Sequence, residues 1–545
     1  INAGTNVRNW LAKFLTNVMT SNILPTAFKR AKIIALLKPG KPTENADSYR
    51  PVALLSVVLK LFERLIYNRI EDTIQQSIPP EQAGFRAGRS CTDQVLCLTN
   101  FIETGYQKRL KTGVVFVDLT AAYDTVWKKG LLLKLLRIIP CLTICDLLCN
   151  MLSDRMFHVY LNNKRSSQMK LNDGIPQGSV LAPLLFNLYI HDLPSSTARK
   201  FLYADDSAYA VQGRDILWIE QTLKSDMASL MKYCQNWRLN PSVTKTETSL
   251  FHLDNRLAKT ELKVTMGDRI LNHNPTPKYL GVTLDRSLTF KQHITKLRGK
   301  INSRNNIICK LASTSWGTDA KTLRISTLSL VFSTANYCCP VWVNSCHSHI
   351  VDAALNKALR IVSGTVRSTP TTWLPVLANI APPHLQRRKA LLREYNKAMA
   401  DQSQPLFTDL QDQVPTRLKS RKPPLRTAAE LAYDGFSLNE AWCDEWRENG
   451  LISPLFTWGS DRDDEFTLPR REWANLNRLR TKHGRCGQMM HKWRITEDAS
   501  CPCGYPIQTT DHIMLECELS KFDGLVEEIA QLTPKARTWL RGLQL

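Results

Sequence analysis

A pair of adjacent aspartates inside an apolar and aromatic run constrains this chain more than any other feature. Asp205 and Asp206 lie within FLYADDSAYA, residues 201–210, which otherwise has the composition of a β-strand. Successive side chains on a strand point to opposite faces, so the two acids fit best at a tight turn. Because burying two carboxylates is costly unless cations neutralise them, divalent metal is the natural partner, and Mg²⁺ prefers such oxygen ligands. The run therefore predicts a strand, a tight turn with metal-binding acids, and a second strand.

Two segments that precede this run supply the other parts of such a site. In GVVFVDLTAAYDTVW, residues 113–127, an apolar run at 114–117 indicates a buried strand that ends at Asp118. In DGIPQGSVLAPLLFNLYI, residues 173–190, a Gly/Pro turn is followed by an apolar helix. A two-metal phosphoryl-transfer site needs more than one acidic segment, and Asp118 is the second candidate. The DD pair alone is weak evidence, since such a pair is more often a solvated turn.

The acidic strand, the PQGS helix and the YADD turn, in this order, resemble the palm of a reverse transcriptase, most closely those of the non-LTR (LINE-type), jockey-like retrotransposons. The resemblance implies an α+β right-hand polymerase with fingers, palm and helical thumb, a helical C-terminal region and a small zinc knuckle. It implies an RNA-directed DNA polymerase that extends a DNA primer on an RNA template, with deoxynucleoside triphosphates as substrates. Asp118, Asp205 and Asp206 would hold two Mg²⁺ ions.

The resemblance also divides the chain into regions. The expected regions are fingers at 1–110, palm at 111–290, a helical thumb-like region at 291–390, a connector at 391–485 and a zinc-knuckle region at 486–545. The chain begins with isoleucine, and nothing corresponds to the endonuclease domain that such elements usually carry ahead of the polymerase. We therefore expect a fragment or a truncated copy. The implied location is intracellular, in the nucleus, with assembly on the element RNA in the cytoplasm.

Basic residues of the fingers are expected to hold the incoming triphosphate. The matching positions are Lys32, in the basic strand predicted at 28–41, and Arg50, ahead of a predicted helix at 52–70. A leaving pyrophosphate needs fixed positive charge, and arginine offers a bidentate fork. A solvated strand lysine is an equally good interpretation of Lys32.

Other residues match the family's nucleotide and template contacts. Tyr123 would form the floor of the sugar pocket and exclude a ribose 2′-hydroxyl, although a core aromatic is the alternative; Asp124 beside it is read as structural. Gln177 and Gly178 match the block that meets the nucleotide, where glycine lets backbone approach closely. Lys245 is a candidate general acid for the pyrophosphate, with a surface lysine as the alternative.

A glycine-rich basic loop at 82–94, QAGFRAGRSCTDQ, matches the family's template-contacting block. Arg86 and Arg89 are expected to contact backbone phosphate there, a contact that positions the template without reading its sequence. Farther along the chain, residues 214–239 show the periodicity of a long amphipathic helix.

Near the C-terminus, CPCGYPIQTTDHIMLEC at 501–517 has the spacing C-x-C-x8-H-x4-C. Three cysteines and one histidine form a standard tetrahedral zinc set, here Cys501, Cys503, His512 and Cys517. Free cysteines beside a helical histidine are the alternative. Zinc knuckles bind single-stranded nucleic acid, so RNA is the expected partner. The segment 476–486, LNRLRTKHGRC, is interpreted as a basic approach to this knuckle.

Composition supports a nucleic-acid partner. The 545 residues carry a formal net charge of +23, which a fold alone does not require and a polyanion would explain. No apolar run approaches the length of a membrane span, so no membrane association is expected; the oligomeric state is left open. Two rival interpretations remain: a related polymerase that makes RNA, against which Tyr123 argues, and a catalytically silent remnant of a truncated element that only binds nucleic acid.

Overall fold

The computed structural model describes residues 4–313, 316–411, 417–459 and 462–545. The chain divides into two compact units, the first formed by Ile1–Gly281 with Gln402–Arg417 and the second by Val282–Asp401 with Leu418–Leu545. In the described ranges, none of the helices combines the length and the apolar character that crossing a bilayer requires.

Helices and strands are numbered here in chain order. The α-helices are α1 Thr5–Ser21, α2 Val57–Ser77, α3 Cys91–Gln107, α4 Lys128–Ile138, α5 Leu142–Leu152, α6 Ala182–Tyr189, α7 Ile216–Asn236, α8 Lys291–Cys309, α9 Ala320–Thr327, α10 Ser333–Asn336, α11 His349–Ser363, α12 Trp373–Ala378, α13 Pro383–Ala400, α14 Pro405–Gln411, α15 Pro424–Tyr433, α16 Leu438–Glu448, α17 Arg470–Thr481, α18 Gly487–Lys492, α19 Thr510–Leu515, α20 Val526–Ala530 and α21 Pro534–Gly542. The strands are β1 Arg30–Leu37, β2 Tyr49–Leu54, β3 Lys111–Val117, β4 Met156–Leu161, β5 Lys164–Arg165, β6 Met169–Lys170, β7 Arg199–Tyr203, β8 Asp206–Gly213, β9 Glu247–Phe251, β10 Thr265–Met266, β11 Arg269–Ile270, β12 Asn272–His273, β13 Lys278–Tyr279 and β14 Val282–Thr283.

Two larger sheets organise the first unit. The outer sheet has the order β2-β1-β4-β5, with β6 also paired to β4. Its β1 is antiparallel to β2 and parallel to β4. The central sheet has the order β12-β9-β3-β8-β7, in which β3 is antiparallel to both of its neighbours. The strand that ends at Asp118 therefore lies in the middle of the central sheet, next to the strand that begins at Asp206.

The central sheet forms where its sequence is most apolar. Val114, Val115 and Val117 of β3 are buried, as the apolar run predicts, and β-branched residues suit a pleated surface packed on its faces. Helix α7 packs on β3 and β8 through a buried stripe that includes Ile219 and Leu223. Asp215 caps α7 by accepting hydrogen bonds from the amides of the next turn. The predicted amphipathic helix at 214–239 and the buried strand before Asp118 are confirmed.

The helix expected at 52–70 is wrong at its start. Val52 pairs with Ile34 in the antiparallel β1–β2 ladder, and the helix begins only at Val57, after Ser56. The apolar residues of 52–54 satisfy helical spacing, but they make strand hydrogen bonds with β1, which local periodicity does not reveal. The basic strand predicted at 28–41 is confirmed as β1.

In the second unit, the C-terminal end of α11 is closed by side chains of α17. The last carbonyls of a helix have no partner within the helix. Here the guanidinium of Arg470 donates to the carbonyls of residues 361 and 362 at 2.5 and 3.0 Å, and the indole of Trp473 also donates to residue 362 at 2.9 Å. The Asn477 amide donates to the carbonyl of Ser363 at 2.9 Å. Cations at a helix C-terminus also complement its dipole.

This arrangement corrects the interpretation of 476–486 as a basic approach to the knuckle for two of its residues, whereas Lys482 and Arg485 are exposed. Arg478 and Arg480 are buried, and their guanidinium groups donate to carbonyls of Gly364 and Leu455 and to the carboxylate of Glu465. Their charge is used to hold the second unit together. Sequence alone favours exposure for an Arg-rich helix, because arginines are seldom buried without partners.

Candidate active site

The two aspartates lie at a tight turn, as predicted. Tyr203 pairs with Asp206 across the β7–β8 hairpin, so Ala204 and Asp205 form a two-residue loop. Ala204 has a φ of +56°, the left-handed conformation that such hairpin loops demand at their first central position. The sharp reversal lets neighbouring acids project from the same end of the sheet.

Strand register brings the third acid beside them. Along the β3–β8 ladder, Val117 lies opposite Ser207, so continuing the register by one residue sets Asp118 opposite Asp206. Directly opposed residues have Cβ atoms about 4.5–5.5 Å apart. The structure therefore gathers at one edge of the central sheet the three carboxylates that the sequence indicated.

The carboxylates perturb one another. Desolvation, then the negative charges of Asp205 and Asp118, raise the pKa of Asp206 to about 6. Desolvation and the charge of Asp118 also raise the pKa of Asp205, while the charge of Arg50 opposes this shift. These acids raise one another's pKa, so a bound cation would stabilise their ionised forms. The opposing effect of Arg50 also shows that this arginine lies near the acids.

One carboxylate oxygen of Asp118 is available for a ligand. Although 41% of the side chain is exposed, its Oδ2 atom is buried and has no hydrogen-bond partner among the described residues; the ammonium of Lys245 lies 3.6 Å away. The backbone of Asp118 is fixed, because its carbonyl accepts from the amide of Ser242 at 2.8 Å. A carboxylate oxygen that accepts no hydrogen bond and lies among other carboxylates fits the hard-ligand preference of Mg²⁺.

Tyr123 lies beside the acids as a packed ring. It stacks on Phe186 with ring centroids 4.6 Å apart and meets Phe85 edge-on at 6.3 Å. Burial, then the charge of Asp205, raise the pKa of Tyr123. Its hydroxyl is buried without a hydrogen-bond partner in the part of the chain that the structure describes. The ring is packed, as a core aromatic would be, and it also lies near the acids, as the floor of a sugar pocket would. Its position therefore fits both interpretations of Tyr123.

Gln177 and Gly178 are docked against strand β2, which carries Arg50. The carbonyl of Gln177 accepts from the amide of Ala53 at 2.8 Å, and its side-chain amide donates to both carboxylate oxygens of Asp124 at 3.1 and 3.0 Å. Gly178 has a φ of +128°, and a Cβ there would lie 2.5 Å from the carbonyl oxygen of Ala53. Only glycine fits so close an approach. The backbone that Gly178 approaches is that of Ala53 in β2, within the protein.

The remaining predicted contacts are less clearly directed at the acids. Lys32 is exposed, with its ammonium 6.0 Å from the ring centroid of Tyr160. The guanidinium of Arg86 donates to Gln75 and to two carbonyls of its own loop, and that of Arg89 donates to Ser403 at 3.1 Å. Because both arginines have partners in the protein, their contact with template phosphate stays a prediction.

Two supporting residues were missed by the sequence analysis. The carboxylate of Glu63 accepts from the hydroxyl of Ser179 at 2.9 Å and from the amide of Val180 at 2.7 Å, which holds the segment after Gly178. Gln82 contacts the turn at Ala204. The available signal was a buried polar position within an apolar stripe, since Glu63 lies between the buried Phe62 and Ile66 of α2.

In the second unit, the four predicted zinc ligands lie together. The ligand atoms of Cys501, Cys503, His512 and Cys517 all fall within 4.8 Å of one another. The sulfurs of Cys501 and Cys517 are 3.7 Å apart, and the sulfur of Cys503 is 3.3 Å from Nε2 of His512. Tetrahedral zinc with Zn–S near 2.3 Å sets its sulfurs about 3.8 Å apart, so the spacing suits this ion.

The surroundings of this cluster orient its histidine. Nδ1 of His512 lies 3.3 Å from a carboxylate oxygen of Glu516, and the Tyr505 ring stacks on the imidazole at 4.3 Å. A carboxylate on the second ring nitrogen is the usual partner of a metal-binding histidine. Asp511, the other flanking acid, pairs instead with Lys482 at 2.6 Å. Cys486, a possible substitute ligand, lies outside the cluster of four.

Three carboxylates at neighbouring strand ends of the central sheet, beside a PQG loop and a YADD turn, define a polymerase palm of the reverse-transcriptase class. The sequence profile described as "Reverse transcriptase (RNA-dependent DNA polymerase)" matches residues 37–284. This range contains all three acids.

Several curated proteins resemble this chain. The chain is 36% identical over 296 residues to a probable RNA-directed DNA polymerase from transposon BS of Drosophila melanogaster, covering 52% of this chain and 32% of the relative. It is 33% identical over 319 residues to the RNA-directed DNA polymerase from mobile element jockey of the same species, covering 56% and 34%. The chain is therefore similar to RNA-directed DNA polymerases of non-LTR retrotransposons, and it spans about a third of the length of these relatives.

A third relative extends the match toward the C-terminus. A putative 115 kDa protein in the type-1 retrotransposable element R1DM of Drosophila melanogaster is 23% identical over 547 residues, covering 94% of this chain and 50% of the relative. Among solved structures, apo telomerase from Candida Tropicalis aligns with a TM-score of 0.37 and 9% identity, covering 87% of this chain and 74% of that one.

Proposed function

We propose that this chain is an active RNA-directed DNA polymerase that extends a DNA primer on an RNA template by two-metal nucleotidyl transfer. The observation that carries the proposal is the alignment of Asp118 with Asp206 across β3 and β8, with Asp205 at the turn between β7 and β8. Reverse transcriptases as a family use divalent metal ions. Bound at these carboxylates, such ions would activate the primer 3′-hydroxyl and stabilise charge on the transferred phosphate.

The other residues of the site supply binding and proton transfer. Arg50, close enough to lower the pKa of Asp205, is placed to neutralise the triphosphate, with Lys32 on the adjacent strand of the same sheet. The packed Tyr123 ring limits space beneath the sugar. The ammonium of Lys245 is exposed and lies 3.6 Å from Asp118. In this proposal Lys245 donates a proton to the leaving pyrophosphate.

Primer extension on a heteropolymeric RNA template, with and without Mg²⁺, tests the proposal. Asp118→Asn and Asp205→Asn should each abolish synthesis while RNA binding persists, because a neutral amide is a poor Mg²⁺ ligand. Asp268→Asn, at an exposed aspartate outside the site, is the matched control. Extension by either site variant within tenfold of the parent would refute the assignment. RNA binding by a folded parent that incorporates no nucleotide would instead favour the silent remnant.

The cysteine cluster is proposed as a structural zinc site that contributes to template binding. The support is its set of four ligands, its 3.7 Å sulfur spacing and the Glu516 carboxylate on His512. Since all four ligands come from 17 residues, metal binding there should stabilise the fold of the segment.

Elemental analysis of the purified protein tests the zinc proposal. The parent should hold one Zn²⁺ per chain, Cys503→Ser should lose it, and Cys486→Ser, a matched cysteine outside the cluster, should keep it. Full zinc content in Cys503→Ser would show that this ligand set is not used. Loss of zinc in Cys486→Ser alone would show that Cys486, and not Cys503, is a zinc ligand.

A further inference from the structure

The glutamine at position 82 binds the turn that carries the two catalytic aspartates. Gln82 is 1% exposed, and its side-chain oxygen accepts from the amide of Ala204 at 2.8 Å and from the amide of Gly84 at 2.8 Å. Its side-chain nitrogen lies 3.4 Å from the carbonyl oxygen of Ala204, to which it donates. One amide group therefore serves both backbone polar groups of the residue directly before Asp205.

The backbone around Gln82 is fixed against the same hairpin. The amide of Ala83 donates to the carbonyl of Leu202 at 2.9 Å, and the amide of Leu202 donates to the carbonyl of Glu81 at 3.2 Å. Gly84 lies so close that a Cβ there would be 2.2 Å from the nitrogen of Ala204. On the far side, the amide of Asn187 in α6 donates to the carbonyl of Gly84 at 2.8 Å. The segment 81–84 is thus wedged between α6 and the turn.

Ala204 needs such support. It is 5% exposed and adopts a φ of +56°, a conformation that residues with a side chain seldom occupy. Buried backbone donors and acceptors that lack a partner are costly, and Gln82 provides one for each. The turn is also the point from which Asp205 and Asp206 project, so any change in its geometry moves the carboxylates relative to Asp118.

We propose that Gln82 is a positioning residue of the active site, whose amide fixes the turn and thereby sets the spacing of the three carboxylates for divalent metal. The proposal rests on the proposed function in taking these carboxylates to be metal ligands. It assigns no chemical step to Gln82, which contacts backbone alone at the turn.

Gln82→Met tests the hydrogen bonds, because methionine keeps the length of the side chain and removes its polar atoms. Hydrogen–deuterium exchange, measured without metal, should show the peptide over 201–207 exchanging faster by about tenfold, the factor expected for loss of one well-formed hydrogen bond. Asn305→Leu is the matched control: Asn305 is also buried, but its amide donates to the carbonyl of Ala354 at 2.9 Å, in the second unit. Unchanged exchange in Gln82→Met, or equal acceleration in the control, overturns the proposal.

Metal binding supplies the second measurement. Mn²⁺ binding followed by electron paramagnetic resonance, with Asp205→Asn defining the site, should weaken about tenfold or more in Gln82→Met, since loosened ligands are known to cost this much in metal affinity. In primer extension, the Mg²⁺ concentration for half-maximal rate should rise while the KM for primer–template stays constant. Mn²⁺ affinity equal to that of the parent would overturn the proposal.

A second variant guards against a misfolded Gln82→Met protein. Gly84→Ala disturbs the same turn by a steric collision, since its Cβ would collide with the nitrogen of Ala204. It should reproduce both effects, whereas Gly267→Ala, with open space around its Cβ, should not. If the parent binds Mn²⁺ at Asp205 and shows the Gln82 effects but makes no DNA, the polymerase proposal fails and the positioning role stands. If DNA synthesis is robust and Gln82→Met changes neither exchange nor metal affinity, the positioning role fails alone.

Discussion

Replacing Gly178 by alanine should disable nucleotide binding while leaving the fold intact. Gly178 follows Gln177, whose carbonyl accepts from the amide of Ala53 in the strand that also carries Arg50. Two groups proposed to hold the nucleotide, Gln177 and Arg50, are therefore kept in register by a close backbone approach at Gly178.

The size of the disturbance follows from the geometry. A Cβ at position 178 would lie 2.5 Å from the carbonyl oxygen of Ala53, and ordinary contact begins at 3.4 Å, so the loop and the strand must separate by 3.4 − 2.5 = 0.9 Å. The φ of +128° adds backbone strain of about 1–3 kcal/mol for a residue with a side chain. Misplacing a binding group by about 1 Å can cost on the order of 100-fold in rate. We expect kcat/KM for the nucleotide to fall by roughly this factor, mostly through KM.

Steady-state primer extension with varied nucleotide concentration is the assay, together with thermal unfolding and RNA binding. Gly267→Ala is a matched control, because Gly267 also has a positive φ, +61°, but has nothing within 4 Å of its Cβ. The control should lose stability because of backbone strain, but it should lose little activity. Comparison of the two variants therefore separates strain from displacement.

Two results would refute this reasoning. If Gly178→Ala keeps kcat/KM within threefold of the parent, the approach to Ala53 does not set the nucleotide site. If Gly267→Ala loses as much activity as Gly178→Ala, backbone strain and not displacement is responsible. Loss of RNA binding in parallel with activity would show that the fingers region as a whole has been disturbed.

Three further predictions concern other parts of the molecule. Tyr123→Ala should raise ribonucleotide incorporation, whereas Tyr123→Phe should not, because the ring and not its unpartnered hydroxyl fills the space; equal discrimination in both variants would make Tyr123 a packing residue only. Since protonated Asp206 is a poor ligand and its pKa is about 6, Mn²⁺ affinity should fall about tenfold per pH unit below 6 and level off above 7; a flat profile from pH 5 to 7 would contradict this. Asn477→Ala should cost about 1–3 kcal/mol in urea unfolding of the second unit, because it leaves the buried carbonyl of Ser363 without its donor; Asn449→Ala, which removes an exposed bond of the same type, should change little.

The three acids of the candidate site could be predicted because their signal is local. An apolar run that ends at Asp118 and a strand-like run interrupted at Asp205 and Asp206 each specify a strand and its end. Neither observation gives the register, however. That Asp118 lies opposite Asp206 depends on which strands are neighbours, and this is a property of the whole sheet.

The supporting residues could not be predicted, because their contacts span long stretches of chain. Gln82 and Ala204 are 122 residues apart, and Glu63 and Ser179 are 116 apart. A buried glutamine or glutamate can be suspected from its place in an apolar stripe, but its partner is fixed only when the elements pack. The same holds for β2, where pairing with β1 overrides the helical spacing of residues 52–54.

The net charge of the chain overstates the positive charge that is available to bind nucleic acid. The value of +23 includes arginines that nucleic acid cannot reach: Arg470, Arg478 and Arg480 are each at most 4% exposed and donate to carbonyls within the second unit. By contrast, Lys291 and Arg298 on α8 are exposed. Because only phosphates met by accessible cations release counterions, the salt dependence of RNA binding should follow the exposed charges and not the total. The basic composition therefore has two parts in this chain: exposed cations that suit the proposed nucleic-acid partner, and buried arginines that hold the second unit together.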